Sequence, residues 1–267
     1  MKTGKRNDSR EDSLEVVYCF DFDGVLCDSM DESLITSYNA YFGGGEAKNV
    51  SEIDPALRSF FYEHRYLVRP AEEYYVLFHA FQKGETVVGK DRFLQLKGVL
   101  AQEMKEHGKR FYAYREQFRK DLDHWLSLHR VYPQCLDFVE KRKHSFFIVS
   151  NKDRDSIVTL ARHHGYLDRI VEIYSREIAI KKKNLLEKLI GDHGLNPLTH
   201  RIVFVDDHEG TLGELKDLPV DLYLAGWGYT GTPLSSSFKL IHSLDELPFC
   251  GCAPSLRQSG KGVPGVL

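Results

Sequence analysis

The chain has 267 residues, 42% hydrophobic and 12% aromatic, enough to bury one sizeable core and a smaller second one. Its 36 Lys and Arg against 39 Asp and Glu give a net charge of -3, which supplies no chain-wide attraction to nucleic acid or to an anionic membrane. Five cysteines, an odd and scattered set, suit a reducing compartment, and no run approaches the roughly 20 apolar residues of a membrane span, so the expectation is a soluble cytoplasmic protein.

In chain order, residues 1–13 are polar and read as a disordered tail. The apolar run 15–20 reads as a first strand that ends in Asp21 and Asp23, with Gly24 freeing the backbone to turn. From about 30 to 132 no strand pattern appears, and aromatics recur at helical spacing instead. Tyr38, Tyr41 and Phe42 fall on one candidate helix, Phe60, Phe61, Tyr62, Tyr66 and Leu67 on a second, and Tyr74, Tyr75, Leu77, Phe78 and Phe81 on a third. A longer helical stretch from Lys90 to Leu128 is expected to break near Gly108. Strand patterns resume at 145–149, 170–174, 201–205 and 221–225, with helices predicted over Arg154–His164, Lys183–Asp192 and Gly210–Asp217. Strands alternating with helices predict a parallel sheet covered on both faces. Residues 253–267, rich in Gly, Pro and Ser, read as a second tail.

Chemistry-bearing residues cluster where these strands end, which is where ligands bind in an open parallel sheet. Asp21 and Asp23 could divide labour, one attacking an electrophile while the other carries a proton, although a lone Asp-x-Asp also reads as two acids capping a loop. Ser150 and Asn151 close the run Phe146–Val149 and offer an anion a hydroxyl and backbone N–H groups; helix capping is the plainer alternative for Ser150. Lys181, Lys182 and Lys183 open a helix, where cations oppose the macrodipole and so lack a structural reason, surface solvation aside. Asp206 and Asp207 end the run 202–205 and form a hard-oxygen pair suited to magnesium, or cap the next helix.

In this order the four motifs resemble those of the haloacid dehalogenase superfamily: Asp21-Phe22-Asp23-Gly24-Val25-Leu26, then Ser150, a lysine among 181–183, and Asp206-Asp207. The tract Ala225-Gly226-Trp227-Gly228-Tyr229 is also similar to phosphatases of the phosphoglycolate phosphatase type. The resemblance implies an α/β protein: a Rossmann-like three-layer core with a parallel sheet over residues 14–29 and 133–252, and an inserted all-helical cap over 30–132. It further implies a phosphatase acting on a small-molecule phosphate monoester, with Asp21 as nucleophile and Asp23 as general acid and base. Mg2+ is expected on the Asp21 carboxylate, the Asp23 backbone carbonyl, Asp207 and the adjacent Asp206. Ser150 and Asn151 are expected to bind phosphate with Lys182, or with Lys183; Lys182 is preferred because Leu185 and Leu186 then begin the apolar face.

Within the superfamily it resembles, an acid at the place of Asp23 implies phosphoryl chemistry in place of dehalogenation. A sugar-phosphate mutase, or a non-catalytic binding protein on the same fold, would keep the same core. In the helical insert Arg58, His64, Arg65 and Arg69 form a basic patch, from which Arg65 and Arg69 are candidates for a second anionic group of the substrate. His163-His164 and Cys250-Gly251-Cys252 read as surface histidines and a coincidental pair.

Overall fold

A computed structural model describes residues 14–43, 47–231 and 237–249; Cys250 and Cys252 lie outside that set. In chain order the elements are β1 (Glu15–Phe20), β2 (Cys27–Asp28), α1 (Met30–Phe42), α2 (Pro55–His64), α3 (Tyr74–Gln82), α4 (Lys90–Val99), α5 (Ala101–Phe118), α6 (Leu122–Ser127) and β3 (Arg130–Val131). They continue as α7 (Pro133–Arg142), β4 (Phe146–Val149), α8 (Arg154–His163), β5 (Ile170–Tyr174), α9 (Lys182–Asp192), β6 (His200–Asp206), α10 (Glu209–Glu214), β7 (Asp221–Ala225) and β8 (Lys239–Ile241). The described residues divide into two compact units, one of residues 14–26, 131–228 and 237–249, the other of residues 27–43, 47–130 and 229–231.

In the first unit six strands form one sheet in the order β5-β4-β1-β6-β7-β8, every neighbouring pair parallel. A parallel sheet covered on both faces demands strands that are apolar throughout, and β4 (Phe-Phe-Ile-Val) is buried at all four positions. After β5 the chain returns to the far side of β1, so the strand order reverses between β1 and β6. In doubly wound folds the crevice at such a reversal is the ligand site. Register decides what meets there. Phe20 pairs with Val205 and with Ile148, which brings Asp21 level with Asp206 and one residue short of Ser150. Strand β8 was not expected: three residues with a lysine at the front give little periodic signal.

The second unit is helical around a core that includes Leu34, Phe61, Phe78 and Phe111, and the two-residue strands β2 and β3 pair with each other. Helix α2 starts where Pro55 presets the backbone and the Asp54 carboxylate accepts from the N–H groups of Ala56 (2.7 Å) and Leu57 (3.2 Å). Helices α1 and α5 are tied by a buried bidentate pair, in which Arg115 Nε and Nη2 reach Glu32 Oε1 and Oε2 at 2.9 and 2.7 Å. The expected break at Gly108 is absent, and the stretch breaks at Leu100 and again at 119–121. Gly108 lies inside α5, where an added Cβ would come within 2.4 Å of Glu72 Cγ. Close approach, not chain reversal, is what the glycine serves.

His107, beside it, is fully buried among the rings of Tyr41, Tyr75 and Phe111, and neither ring nitrogen has a hydrogen-bond partner among the described residues. Burial, helped by Arg110, holds its pKa down at about 3. Unfolded imidazole protonates near 6.5 while the folded one stays neutral until about 3, so the unfolded state binds more protons in that window and stability falls as pH falls through it. The full window is worth on the order of 5 kcal/mol. We expect His107→Phe to flatten the acid limb of the unfolding curve; an unchanged limb between pH 6.5 and 4 would contradict this.

Candidate active site

Strand β1 is apolar up to Phe20 and then releases Asp21, whose N–H donates to Val205 O at 2.9 Å, so the sheet still holds the backbone where the carboxylate begins. The Asp21 carboxylate accepts from Phe22 N (2.7 Å), is paired with Lys182 Nζ and accepts from the Ser150 hydroxyl. Lys182 Nζ also reaches Asp206 Oδ2 at 2.7 Å. Burial would by itself push the Lys182 ammonium down, but Asp206 and Asp21 outweigh it and hold the group above the ordinary lysine range. Burial raises Asp21 to about 6, against the pull of Lys182 and with the help of Asp206.

Asp21, Asp206 and Asp207 are all buried and can each present an oxygen within 4.8 Å of the others. Three hard carboxylate donors facing one ammonium fit a magnesium ion in charge and in chemistry. The space is guarded by glycine. Gly24 has φ +83°, and a Cβ there would lie 2.1 Å from Asp207 Oδ2; a Cβ on Gly228 would lie 2.3 Å from Gly24 O and 2.4 Å from Asp207 Cβ. Trp227 Nε1 donates to Val25 O at 3.1 Å, so the 225–228 tract braces the turn after β1. Gly24→Ala is expected to destabilise this unit by about 2 kcal/mol, from the left-handed backbone and the displaced Asp207; denaturant melts matching wild type would contradict the packing.

The residues predicted from sequence divide clearly. Asp21, Ser150, Lys182 and Asp206 are joined by the contacts above, and Asp207 completes the acidic cluster. Asn151 adjoins Ser150, its Oδ1 buried and without a hydrogen-bond partner among the described residues. Lys183 leans the other way, 4.0 Å from Asp217. Asp23 Oδ1 accepts from Lys152 Nζ at 3.0 Å, a residue that sequence reasoning passed over. A lysine just before a helix start looks like a solvated cation; its place two residues after Ser150 was the only hint.

Arg65 and Arg69 belong to the helical unit. Arg65 is buried, its Nη1 donating to Val68 O (2.7 Å) and its guanidinium lying 5.3 and 4.5 Å from the ring centroids of Tyr74 and Tyr229. His64 is buried as well: Val88 N donates to its Nε2 (2.9 Å), which leaves Nδ1 to donate to Phe60 O (2.7 Å). Of the four residues read as a basic patch, His64 and Arg65 are buried within the helical unit. Cys19, Cys27 and Cys135 are buried and form no disulfide. Among the described residues no helix is long and apolar enough to cross a membrane.

A doubly wound sheet with acids and a buried lysine at its strand reversal is an α/β protein with a ligand crevice at that point. The model of the haloacid dehalogenase-like hydrolase family matches residues 16–213, and the chain belongs to that family. It is similar in fold to a haloacid dehalogenase-like hydrolase from Streptococcus pneumoniae (16% identity, 87% of this chain and 96% of that one, TM-score 0.56). A predicted phosphoglycolate phosphatase from Haemophilus somnus shares 16% identity over 83% of this chain and 88% of its own, with TM-score 0.53. Protein Tyrosine Kinase A from Mycobacterium tuberculosis shares 17% over 87% and 95%, also at 0.53. No curated protein sequence matches.

Proposed function

We propose that the protein is a magnesium-dependent phosphatase that hydrolyses a small-molecule phosphate monoester through an aspartyl-phosphate on Asp21. The observation that carries this reading is the joint contact of Asp21 with Lys182, Ser150 and the Asp206–Asp207 pair at the strand reversal. Membership of a hydrolase family supports it, as does the likeness to a chain described as a phosphoglycolate phosphatase.

Asp21 attacks phosphorus in line while Asp23 gives a proton to the leaving oxygen; Asp23 then takes a proton from the water that frees the phosphate. Ser150 and Asn151 hold phosphoryl oxygens, and Lys182 balances their charge. Of the two lysines weighed, Lys182 takes this role because Lys183 faces Asp217. Asp21, Asp206, Asp207 and the Asp23 carbonyl would hold Mg2+, which supplies the positive charge that lets a carboxylate meet a phosphate dianion. The helical unit is the part we assign to substrate selection, with Arg69 as the candidate for a second anionic group, since Arg65 is engaged in the interior of that unit. Purified protein is expected to release phosphate from para-nitrophenyl phosphate only with added magnesium. Release that is indifferent to magnesium, or none, would remove the proposal.

A further inference from the structure

The Lys152–Asp23 pair has no place in the scheme above, and its geometry is uneven in an informative way. The Lys152 side chain is wholly buried, whereas Asp23 keeps 21% of its side-chain surface open. Its ammonium reaches both carboxylate oxygens, Oδ1 at 3.0 Å and Oδ2 at 3.4 Å, and stands 5.8 Å from the Phe22 ring centroid. The Lys152 backbone is itself fixed, its N–H donating to Ser150 Oγ at 3.3 Å. An ammonium taken out of water costs several kcal/mol before pairing, and an apolar side chain of like volume would fill the space at least as stably. Stability therefore gives no reason for a lysine here. Asp23, for its part, sits between the end of β1 and the left-handed turn at Gly24, and its carboxylate faces the Lys152 ammonium there.

We propose that Lys152 is a positioning residue for the phosphatase reaction: it holds the Asp23 carboxyl group in the one orientation from which protons can be exchanged with the leaving oxygen and then with water. The inference rests on the phosphatase reading. In the first half-reaction the bond between phosphorus and the leaving oxygen breaks as Asp21 bonds to phosphorus, and the leaving oxygen takes the proton of Asp23. In the second, water bonds to phosphorus, the Asp21–phosphorus bond breaks, and the water's proton returns to Asp23. A misdirected Asp23 harms the first half only when the leaving group needs a proton, and harms the second half always.

That asymmetry is the test. Para-nitrophenolate leaves without a proton, whereas an alkoxide requires one. For Lys152→Met in the full chain with magnesium, the pre-steady-state release of para-nitrophenolate should stay within about threefold of wild type, while steady-state turnover falls about 100-fold. kcat/KM for para-nitrophenyl phosphate should change less than about twofold, KM falling together with kcat because dephosphorylation limits turnover, and an alkyl phosphate should show the roughly 100-fold loss with no burst. Lys152→Arg should recover at least about tenfold of the lost turnover. Turnover of the alkyl phosphate within threefold of wild type would overturn the proposal. So would an equal loss in burst and steady state that Lys152→Arg shares, since that marks a purely structural ion pair. Absence of phosphate release by the wild-type protein from either substrate would instead sink the phosphatase reading, and this inference with it.

Discussion

Asp21→Asn is expected to lower kcat by at least about 10³-fold, on the order of 4 kcal/mol in the barrier. The amide is nearly isosteric and its oxygen can still accept from Phe22 N, so the loop after β1 keeps its course. Two things are lost. No carboxylate is left to form the phosphoryl bond, and the charge-assisted contact with Lys182 becomes, at best, a weaker one to a neutral group. Lys182 retains Asp206 at 2.7 Å, so the fold is not left with an unpaired buried ammonium and the melting temperature should move little. Magnesium should stabilise the variant less than wild type, because one of three clustered carboxylates has gone. Full activity in Asp21→Asn would mean that another group attacks phosphorus.

Lys182→Met has the opposite signature, with a large cost to stability as well as to catalysis. Asp21 and Asp206 are buried, and Lys182 is within ion-pair contact of both. Breaking a buried network by deleting one partner typically costs about 3–5 kcal/mol, because charge is left uncompensated. The sign of the pH dependence follows from the direction of the shifts. Asp21 already stands at about 6 with Lys182 pulling it down, and losing that pull raises it further. A carboxyl whose folded-state pKa lies above its unfolded one costs stability at high pH, a cost relieved as pH falls through the folded value and gone below the unfolded one, about 3.9. The deficit of Lys182→Met against wild type should thus be greatest at neutral pH and shrink on acidification. Magnesium should restore part of it at neutral pH. A deficit that grows as pH falls would contradict this account of the cluster.

Much of this site was legible because β1, β4 and β6 are short apolar runs whose ends are marked by a change to acid, hydroxyl or amide residues. Order along the chain then sufficed, since a parallel sheet delivers every strand end to one edge. Contacts made by a long flexible side chain were harder to read. Lys152 and Lys183 look alike in sequence, yet one is wholly buried against Asp23 and the other is more than a third exposed beside Asp217. Lys152 lies in the loop between β4 and α8 whereas Lys183 lies in the first turn of α9, a difference of place that the letter alone does not carry.

The helical unit shows the same limit from another side. Aromatic spacing marked α1 and α3, because one face of each must reach the common core, but it carried the second helix too far: α2 ends at His64, and Tyr66 and Leu67 lie in a separate 3-10 turn over Arg65–Leu67. Gly108 misled, since a glycine in a helix signals weak propensity, about 1 kcal/mol against alanine, as readily as a tight contact with a neighbour. His64 and Arg65 misled too: each carries an apolar body that packs and a polar tip that finds a carbonyl or a ring, so a run of basic letters need not be a basic surface.

The central claim is that Asp21 becomes phosphorylated during turnover. Rapid acid quenching of the full chain with para-nitrophenyl phosphate and magnesium, followed by peptide mass spectrometry, tests it directly. One phosphoryl group is expected on the peptide spanning β1, located at Asp21, absent without magnesium and absent in Asp21→Asn. Phosphate released at undiminished rate with the modification elsewhere, or with no modified peptide under conditions where Lys152→Met should accumulate it, would contradict the account.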